Sequence, residues 1–414
     1  MTYRNSNGCT QTVTVTVNPL PTITGTPAVC IGSTTQLTGS ATANATTPWT
    51  SATTAVATVS NTGLVTGVAA GTSVITYRNS NGCTQTVTVT VNPLPTITGT
   101  ATVCIGSATQ LTGSATANAT TPWTSATTAV ATVDNTGLVT GVAAGTSVIT
   151  YRNSNGCTQT VTVTVNPLPT ITGTPAVCIG STTQLTGSAT PNATTPWTSA
   201  TTAVATVSNT GLVTGVAAGT SVITYRNSNG CIQTVTVTVN PLPLAPTVGT
   251  IIQPTCVITT GSVDLSGLPS TGTWTLTRSP GAVVTTGTGT TVTITGLAAN
   301  TTYTYTVGNG TCTSVSSANI VVNQLPLLAT WNAGWTNGPP TINQPVVFAG
   351  DYTSAGDLNS CSCTVNSGVN VVISDGNTLT VTNAVTVSSG ATLTFENNSS
   401  LMQDSNVVNT GEIT

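Results

Sequence analysis

Residues 77–95, YRNSNGCTQTVTVTVNPLP, combine a turn, an alternating strand and a chain break. Val87, Val89 and Val91 lie two positions apart, so they share one face of a pleated strand while the intervening threonines take the other face. Asn-Ser-Asn-Gly at 79–82 is a turn sequence whose glycine can adopt a positive φ. Asn-Pro-Leu-Pro at the end cannot continue a hydrogen-bonded ladder. The stretch predicts the last hairpin of a β domain, followed by a stiff joint.

The same stretch recurs along the chain, and its spacing defines the domain organisation. The step between copies of YRNSNGC is 74 residues (83 − 9), and a second cysteine series has the same step. Such a period predicts tandem domains. About seven short strands in each unit, without helical periodicity, favour β-sandwiches. The expected boundaries are a last hairpin of a truncated domain at 1–18, repeats at 19–92, 93–166 and 167–240, a different sandwich at 241–325, and a final module at 326–414.

The composition supports an all-β chain and excludes several classes of function. Only 5 residues are Lys or Arg, 8 are Asp or Glu, and none is His. A net charge of −3 with 38% hydrophobic residues permits a buried core, whereas disordered chains combine low hydrophobicity with high net charge. Without a basic cluster we expect no nucleic-acid partner, and no apolar run reaches the length of a membrane span. Without His we expect no His-dependent catalytic triad and no enzyme.

Residues 48–77, PWTSATTAVATVSNTGLVTGVAAGTSVITY, resemble the bacterial Ig-like group 2 domains of intimin- and invasin-type adhesins. The resemblance rests on the Trp-x-Ser, Val-Ala-Thr-Val, Gly-x-Val-x-Gly and Ala-Gly-Thr elements, which recur in two further copies and cover residues 19–240. It implies tandem Ig-like β-sandwiches in an extended array. Each copy then places one tryptophan in its core, although carbohydrate stacking is an alternative role; these tryptophans are Trp49, Trp123 and Trp197.

The two remaining segments resemble other modules of surface proteins. In residues 241–325, TWTLTRSP and a Leu-x-x-Asn-x-x-Tyr pattern resemble a fibronectin type III domain. Residues 326–414 contain short strands separated by Ser-Gly and Asn-Asn turns, which suit a β-solenoid, with another small sandwich as the alternative. This segment resembles a module of proteins exported by type IX secretion. The resemblance implies the outer surface of a Gram-negative bacterium, and we expect the module to be truncated.

Eleven cysteines in a repetitive chain indicate a disulfide framework formed in an oxidising compartment. Equal spacing favours a pair within each domain, and pairing between neighbouring domains is the alternative. Cys9 is expected to be unpaired. The expected pairs are Cys30–Cys83, Cys104–Cys157, Cys178–Cys231 and Cys256–Cys312.

The final module contains the remaining candidate sites. Cys361 and Cys363 are a redox pair or, as we favour, two core side chains of one strand. Trp331 and Trp335 are candidates for ligand stacking. Three acids are candidate Ca²⁺ ligands or solvated loop residues, namely Asp351, Asp357 and Asp375. Thr-x-Thr arrays in residues 365–400 would form an ice-binding face only if the strands stacked in flat register.

These observations predict a non-catalytic structural stalk of a secreted or cell-surface bacterial adhesin or filament, with no cofactor and no metal. The alternative function is a carbohydrate-, surface- or ice-binding module carried by residues 326–414. Because the chain has no lysine to guard its strand edges, we also expect self-association into filaments.

Overall fold

The computed structural model describes residues 1–414, which form 43 strands and no helix. No helix of the length and hydropathy that a membrane crossing requires is present. The accessible surface is 21386 Å², whereas a single compact globule of this mass would expose about 15,000 Å². The excess surface reflects a row of small domains, each with its own core.

The first strands form an isolated, exposed hairpin that repeats the register of the later domains. Arg4 lies opposite Thr10, as Arg78 lies opposite Thr84 one period later. The two strands are β1 (Thr2–Arg4) and β2 (Thr10–Thr12).

The three repeats contain eight strands each, at equivalent positions. The first contains β3 (Ile23–Gly25), β4 (Ala28–Cys30), β5 (Thr34–Gly39), β6 (Trp49–Ser51), β7 (Ala57–Val59), β8 (Leu64–Gly67), β9 (Gly71–Arg78) and β10 (Thr84–Asn92). The second contains β11 (Ile97–Gly99), β12 (Thr102–Cys104), β13 (Ala108–Gly113), β14 (Trp123–Ser125), β15 (Ala131–Val133), β16 (Leu138–Gly141), β17 (Gly145–Arg152) and β18 (Thr158–Asn166). The third contains β19 (Ile171–Gly173), β20 (Ala176–Cys178), β21 (Thr182–Gly187), β22 (Trp197–Ser199), β23 (Ala205–Val207), β24 (Leu212–Gly215), β25 (Gly219–Arg226) and β26 (Ile232–Asn240).

Each repeat is a sandwich of two four-stranded sheets. In the first repeat the orders are β3-β5-β8-β7 and β4-β10-β9-β6. All pairings are antiparallel except that of β4 with β10, which is parallel and sets Cys30 opposite Asn92. The parallel pairing follows from the chain path, because the second and last strands both run from the entry end of the domain to its exit end.

A tryptophan and a tyrosine from the second sheet fill each core. Trp49 and Tyr77 are 6% and 2% exposed, and their ring centroids lie 4.7 Å apart. The Tyr77 hydroxyl donates a hydrogen bond to the carbonyl of Ala41 at 3.0 Å. Gly39 leaves the space that the Tyr77 ring occupies, since a Cβ there would overlap the ring. Trp123 and Trp197 lie in the equivalent places, so all three tryptophans are core residues rather than stacking platforms.

Residues 241–325 form a seven-stranded sandwich with a different division of strands. Its sheets are ordered β27-β28-β31 and β30-β29-β32-β33. Their core includes Trp274, whose indole nitrogen donates to the carbonyl of Gly289 at 2.7 Å. The strands are β27 (Thr247–Ile252), β28 (Thr260–Ser266), β29 (Trp274–Ser279), β30 (Val284–Gly287), β31 (Thr291–Ala298), β32 (Thr301–Gly308) and β33 (Ile320–Val322).

The final module is a β-solenoid, because its ten named strands pair only in parallel. They form three sheets, β34-β35-β38-β41, β36-β39-β42 and β37-β40-β43. The strands are β34 (Ala329–Trp331), β35 (Pro345–Phe348), β36 (Tyr352–Thr353), β37 (Leu358–Ser360), β38 (Ser362–Val365), β39 (Asn370–Ile373), β40 (Thr378–Val381), β41 (Val385–Val387), β42 (Thr392–Phe395) and β43 (Ser400–Gln403).

Inward side chains stack from rung to rung. Val371 lies beside Leu393, and Leu379 beside Leu401. The alternative of another small sandwich is excluded by the parallel pairing. The predicted fold class, tandem Ig-like sandwiches followed by a solenoid-like segment, is confirmed.

The pleat of β17 supplies a matched test of the sandwich core. Ile149 is fully buried and its neighbour Val148 is 40% exposed. Ile149→Ala should lower the free energy of unfolding of the second repeat by about 2–5 kcal/mol, and Val148→Ala by less than about 1 kcal/mol. Hydrogen exchange of the peptide that contains Asp134, which replaces the serine of the other repeats, reports on this repeat specifically. Equal effects of the two substitutions would contradict the assigned faces.

Candidate functional site

The chemically distinctive residues of the chain are the cysteines at the joints between domains. Each joint contains a linker with at least one proline and two cysteines from neighbouring domains. In the first joint, Pro95 is buried, whereas Pro93 and Leu94 are exposed. The linker is therefore anchored in the domain that it enters.

The early cysteine of each repeat lies at the exit end of its sandwich. Cys30 is the last residue of β4 and lies beside Asn92, the last residue of β10. The Ile31 amide donates to the Asn92 carbonyl at 3.1 Å, which continues the pairing by one residue. Cys30 is thus held next to the start of the linker to the following domain.

The late cysteine lies at the opposite, entry end, in the turn between the last two strands. In the second repeat, Asn153 accepts a hydrogen bond from the Cys157 amide on its side-chain oxygen at 2.9 Å, and its own amide donates to the Cys157 carbonyl at 3.0 Å. Gly156 takes φ +82°, as the turn requires. Asn153 is 2% exposed, so its buried side chain and its two hydrogen bonds hold the cysteine in place.

These positions make the predicted pairs within each domain wrong. Cys83 precedes β10, and Cys30 lies opposite the last residue of that strand. Nine strand residues separate the two levels, a distance of about 30 Å, whereas a disulfide requires Cα atoms within about 7 Å. The equivalent parallel pairing excludes Cys104–Cys157 and Cys178–Cys231 for the same reason. Cys256–Cys312 is also wrong, because each of these two cysteines bonds another residue.

The disulfides instead join consecutive domains. The early cysteine of each sandwich bonds the late cysteine of the next one in the first three joints, and in the fourth it bonds Cys361 of the solenoid. The Cα atoms lie 5.6 Å apart in the first two joints, 5.8 Å in the third and 6.3 Å in the fourth. This is the alternative of pairing between neighbouring domains. The four bonds are Cys30–Cys157, Cys104–Cys231, Cys178–Cys312 and Cys256–Cys361.

The third joint shows how closely the domain ends approach each other. The sulfur of Cys178 lies 3.4 Å from the carbonyl oxygen of Thr311, and that of Cys312 lies 3.9 Å from the carbonyl oxygen of Asn240. The turn of the fourth domain therefore rests on the exit end of the third repeat. Each joint is held at two points, the linker and the disulfide.

Three cysteines are free, namely Cys9, Cys83 and Cys363. The prediction of an unpaired Cys9 agrees with this set. Cys83, which was expected to bond Cys30, is free because Cys30 bonds Cys157.

Cys361 and Cys363 do not form a redox pair with each other. Cys361 belongs to the fourth joint, whereas Cys363 lies in the solenoid core beside Val346 and Val385. Burial raises the pKa of the Cys363 thiol from 9.0 to about 12, so it is a neutral core group near pH 7.

The aromatic and acidic candidates of the solenoid have structural contacts. Trp331 and Trp335 are half-buried and meet edge to face at 5.1 Å. The indole nitrogen of Trp331 donates to the Asp351 carbonyl at 2.9 Å, and both rings pack against Tyr352. These contacts make the pair an end cap of the solenoid core rather than an open stacking surface.

The three acids accept hydrogen bonds from neighbouring rungs instead of converging. The Asp351 carboxylate accepts from the Asn370 amide and that of Asp357 from the Thr378 amide, both at 2.8 Å. Asp375 accepts from the side chain of Asn398 at 3.0 Å. No group of three His, Cys, Asp or Glu side chains is placed to hold a metal ion.

The outward threonines of the solenoid do not form repeated Thr-x-Thr rows. Thr392 and Thr394 of one rung lie beside Asn370 and Val372 of the previous rung. A flat two-column threonine face of the kind that the ice-binding alternative requires is therefore missing from this sheet.

Two segments match known family models. Residues 162–239 match the bacterial Ig-like domain (group 2), and residues 329–414 match a domain of unknown function, DUF8693. No curated protein matches the chain.

Three solved structures illustrate the range of matches to this chain. The S-layer protein SbsC is 14% identical over 76% of this chain, with a TM-score of 0.18, and this chain spans 56% of its length. A C-terminal fragment of intimin in complex with its receptor domain is 20% identical over 42% of this chain, which spans 59% of it, with a TM-score of 0.20. The human desmocollin-1 ectodomain is 10% identical over 78% of this chain, which spans 84% of it, with a TM-score of 0.18.

Peptide mapping without reduction tests the connectivity. Digestion should give a peptide in which Cys104 is linked to Cys231, while iodoacetamide labels Cys83 in the folded protein because that thiol is partly exposed. Cys363 should be labelled only after unfolding. A Cys104–Cys157 peptide would contradict the arrangement between domains.

The buried thiol makes the solenoid less stable at alkaline pH. The folded-state pKa of Cys363 is raised, so its stabilising contribution is present below pH 9 and falls as the unfolded state ionises. Between pH 8 and pH 10 the loss should be about 1.4 kcal/mol. Cys363→Val removes this loss while other groups titrate as before. An identical pH dependence of unfolding in the variant and the parent chain would rule out the thiol as its source.

Proposed function

We propose that this chain is a non-catalytic structural stalk of a secreted or cell-surface bacterial protein. The observation that supports this most strongly is the series of four disulfides, each of which joins one module to the next. Disulfides within domains would stabilise separate units, whereas these bonds fix the positions of successive units. A chain built in this way keeps its two ends apart.

The chemistry of the chain is consistent with an extracellular spacer. Four disulfides form and persist in an oxidising compartment. With 13 charged side chains among 414 residues and no His, the chain has few groups for acid–base or nucleophilic catalysis. The match of residues 162–239 to a bacterial Ig-like domain supports the same role.

Finer assignments are part of the same proposal. The three-plus-four strand division of residues 241–325 is the basis for proposing a fibronectin type III-like domain. Display on the outer surface of a Gram-negative bacterium through type IX secretion, and attachment as an adhesin, follow from the resemblances of the sequence. Glycan or surface binding by residues 326–414 has less support, since their aromatic side chains pack inward.

Self-association into filaments is also proposed, but the short edge strands of the sandwiches offer few residues for pairing between molecules. The four edge strands of the first repeat, β3, β4, β6 and β7, contain three residues each. Very short edge strands limit pairing between molecules. Sedimentation over a range of concentrations distinguishes a filament from an isolated stalk.

Removal of one whole repeat tests the spacer role. Deletion of residues 93–166 joins Asn92 to Pro167, which restores the native joint sequence, and leaves Cys231 as the next late cysteine for Cys30. Small-angle scattering should show an elongated particle whose longest dimension falls by roughly 35 Å, the length of one domain.

The parent chain provides the reference for this measurement. The radius of gyration of the parent chain should exceed about 40 Å, as expected of a rod, whereas a globule of 414 residues would have about 22 Å. A compact parent particle, or a longest dimension that does not change on deletion, would contradict a spacer. Peptide mapping of a Cys30–Cys231 link verifies that the shortened joint is native.

A further inference from the structure

The four disulfides create covalent paths along the stalk that avoid most of every domain. One path runs through residues 19–30, crosses to 157–178 and then crosses to 312–326. We call these three segments the first route. At each crossing it leaves a domain at its exit end and enters the next domain at the late cysteine.

A second path follows, in each repeat, the terminal strands that the first route does not use. It runs through residues 83–104, crosses to 231–256 and reaches Cys361 in the solenoid. We call this the second route. Where one route follows the first strands of a repeat, the other follows its last strand.

The two routes lie side by side within each repeat, because the strands that carry them are paired in parallel. These pairs are β4 with β10, β12 with β18, and β20 with β26. Parallel alignment means that both routes run in the same direction along the stalk. The remaining strands of each sandwich, which contain its Trp–Tyr core, lie in loops outside both routes.

The middle segment of the first route, residues 157–178, is already close to full extension. Segment 157–178 crosses two repeats, mostly as strands β18, β19 and β20. Strands rise about 3.3 Å per residue, and a fully extended chain spans at most about 3.6 Å per residue. Tension can therefore lengthen such a segment by only about a tenth.

We infer that the four sandwiches of the stalk form a tension-bearing element that the disulfide routes make nearly inextensible. This inference rests on the proposed stalk function and adds a mechanical property to it. A pull on the two ends is carried by the extended strands and the disulfides of a route, so the strands that contain the Trp–Tyr pair of each core carry none of the load. Ordinary tandem Ig-like domains lack such a bypass and lengthen as each domain unfolds.

Single-molecule stretching of the full chain by its two ends tests the inference. Unfolding one 74-residue repeat would release roughly 220 Å, the extended length less that of the folded domain. The oxidised chain should show no step of this size from the repeats, and extension should be confined to the N-terminal hairpin and the C-terminal module. After reduction, three such steps should appear, one for each repeat, together with one longer step from residues 241–325.

Two matched double variants distinguish the routes from general stabilisation. Cys30→Ser with Cys157→Ser breaks the first route at its first crossing, so force must pass through the whole first repeat before it reaches the second route. One additional step of roughly 220 Å is expected. Cys104→Ser with Cys231→Ser also removes one disulfide but leaves the first route complete, so no additional step is expected.

The outcomes separate the mechanical inference from the stalk itself. Repeat-length steps in the oxidised parent chain, or an equal gain of one step in both double variants, would overturn the routing. The scattering result for the spacer would stand in that case. Reduction of the parent chain serves as a second measurement if a variant folds poorly.

Discussion

The arrangement of the whole chain depends on one constraint, the placement of the two cysteines of each repeat at opposite ends of the same sandwich. The parallel pairing of β4 with β10 sets Cys30 at the exit end, and the turn held by Asn79 sets Cys83 at the entry end. Since about 30 Å of strand separates them, each can bond only across a joint. Each disulfide therefore joins two consecutive domains.

Apart from these disulfides, the chain has few interactions that could fix the positions of its domains. Charged groups are too rare for ion-pair networks, and each repeat has a core cluster of only nine buried residues. The Trp–Tyr pair and the serine hydrogen bonds behind it, such as Ser51 to Ser73 at 2.9 Å, order the interior. The buried linker proline and the disulfide then fix the angle between neighbours.

The same joint connects modules of different architecture. The third joint, between a repeat and the fourth domain, has the same early-to-late disulfide as the joints between repeats. In the fourth joint, Cys361 of the solenoid forms the last disulfide. The solenoid core is closed at its first rungs by Trp331, Trp335 and Tyr352. The transition from sandwich to solenoid thus changes the fold without interrupting the covalent series.

Much of the local structure could be predicted from the sequence. Two-residue alternation, turn glycines and the 74-residue period predicted the strands and the tandem sandwiches, and the turn spacing of residues 326–414 suited a solenoid, with another small sandwich as the alternative. The place of each repeat's tryptophan in a strand with Val-rich neighbours predicted its core position. The disulfide partners follow from the three-dimensional arrangement of the strands. The early and late cysteines each recur every 74 residues, and this period is compatible both with a bond within a domain and with a bond to the next domain, so it cannot distinguish the two. The direction of β4 relative to β10 makes that distinction, because it separates Cys30 from Cys83 and brings Cys30 to Cys157.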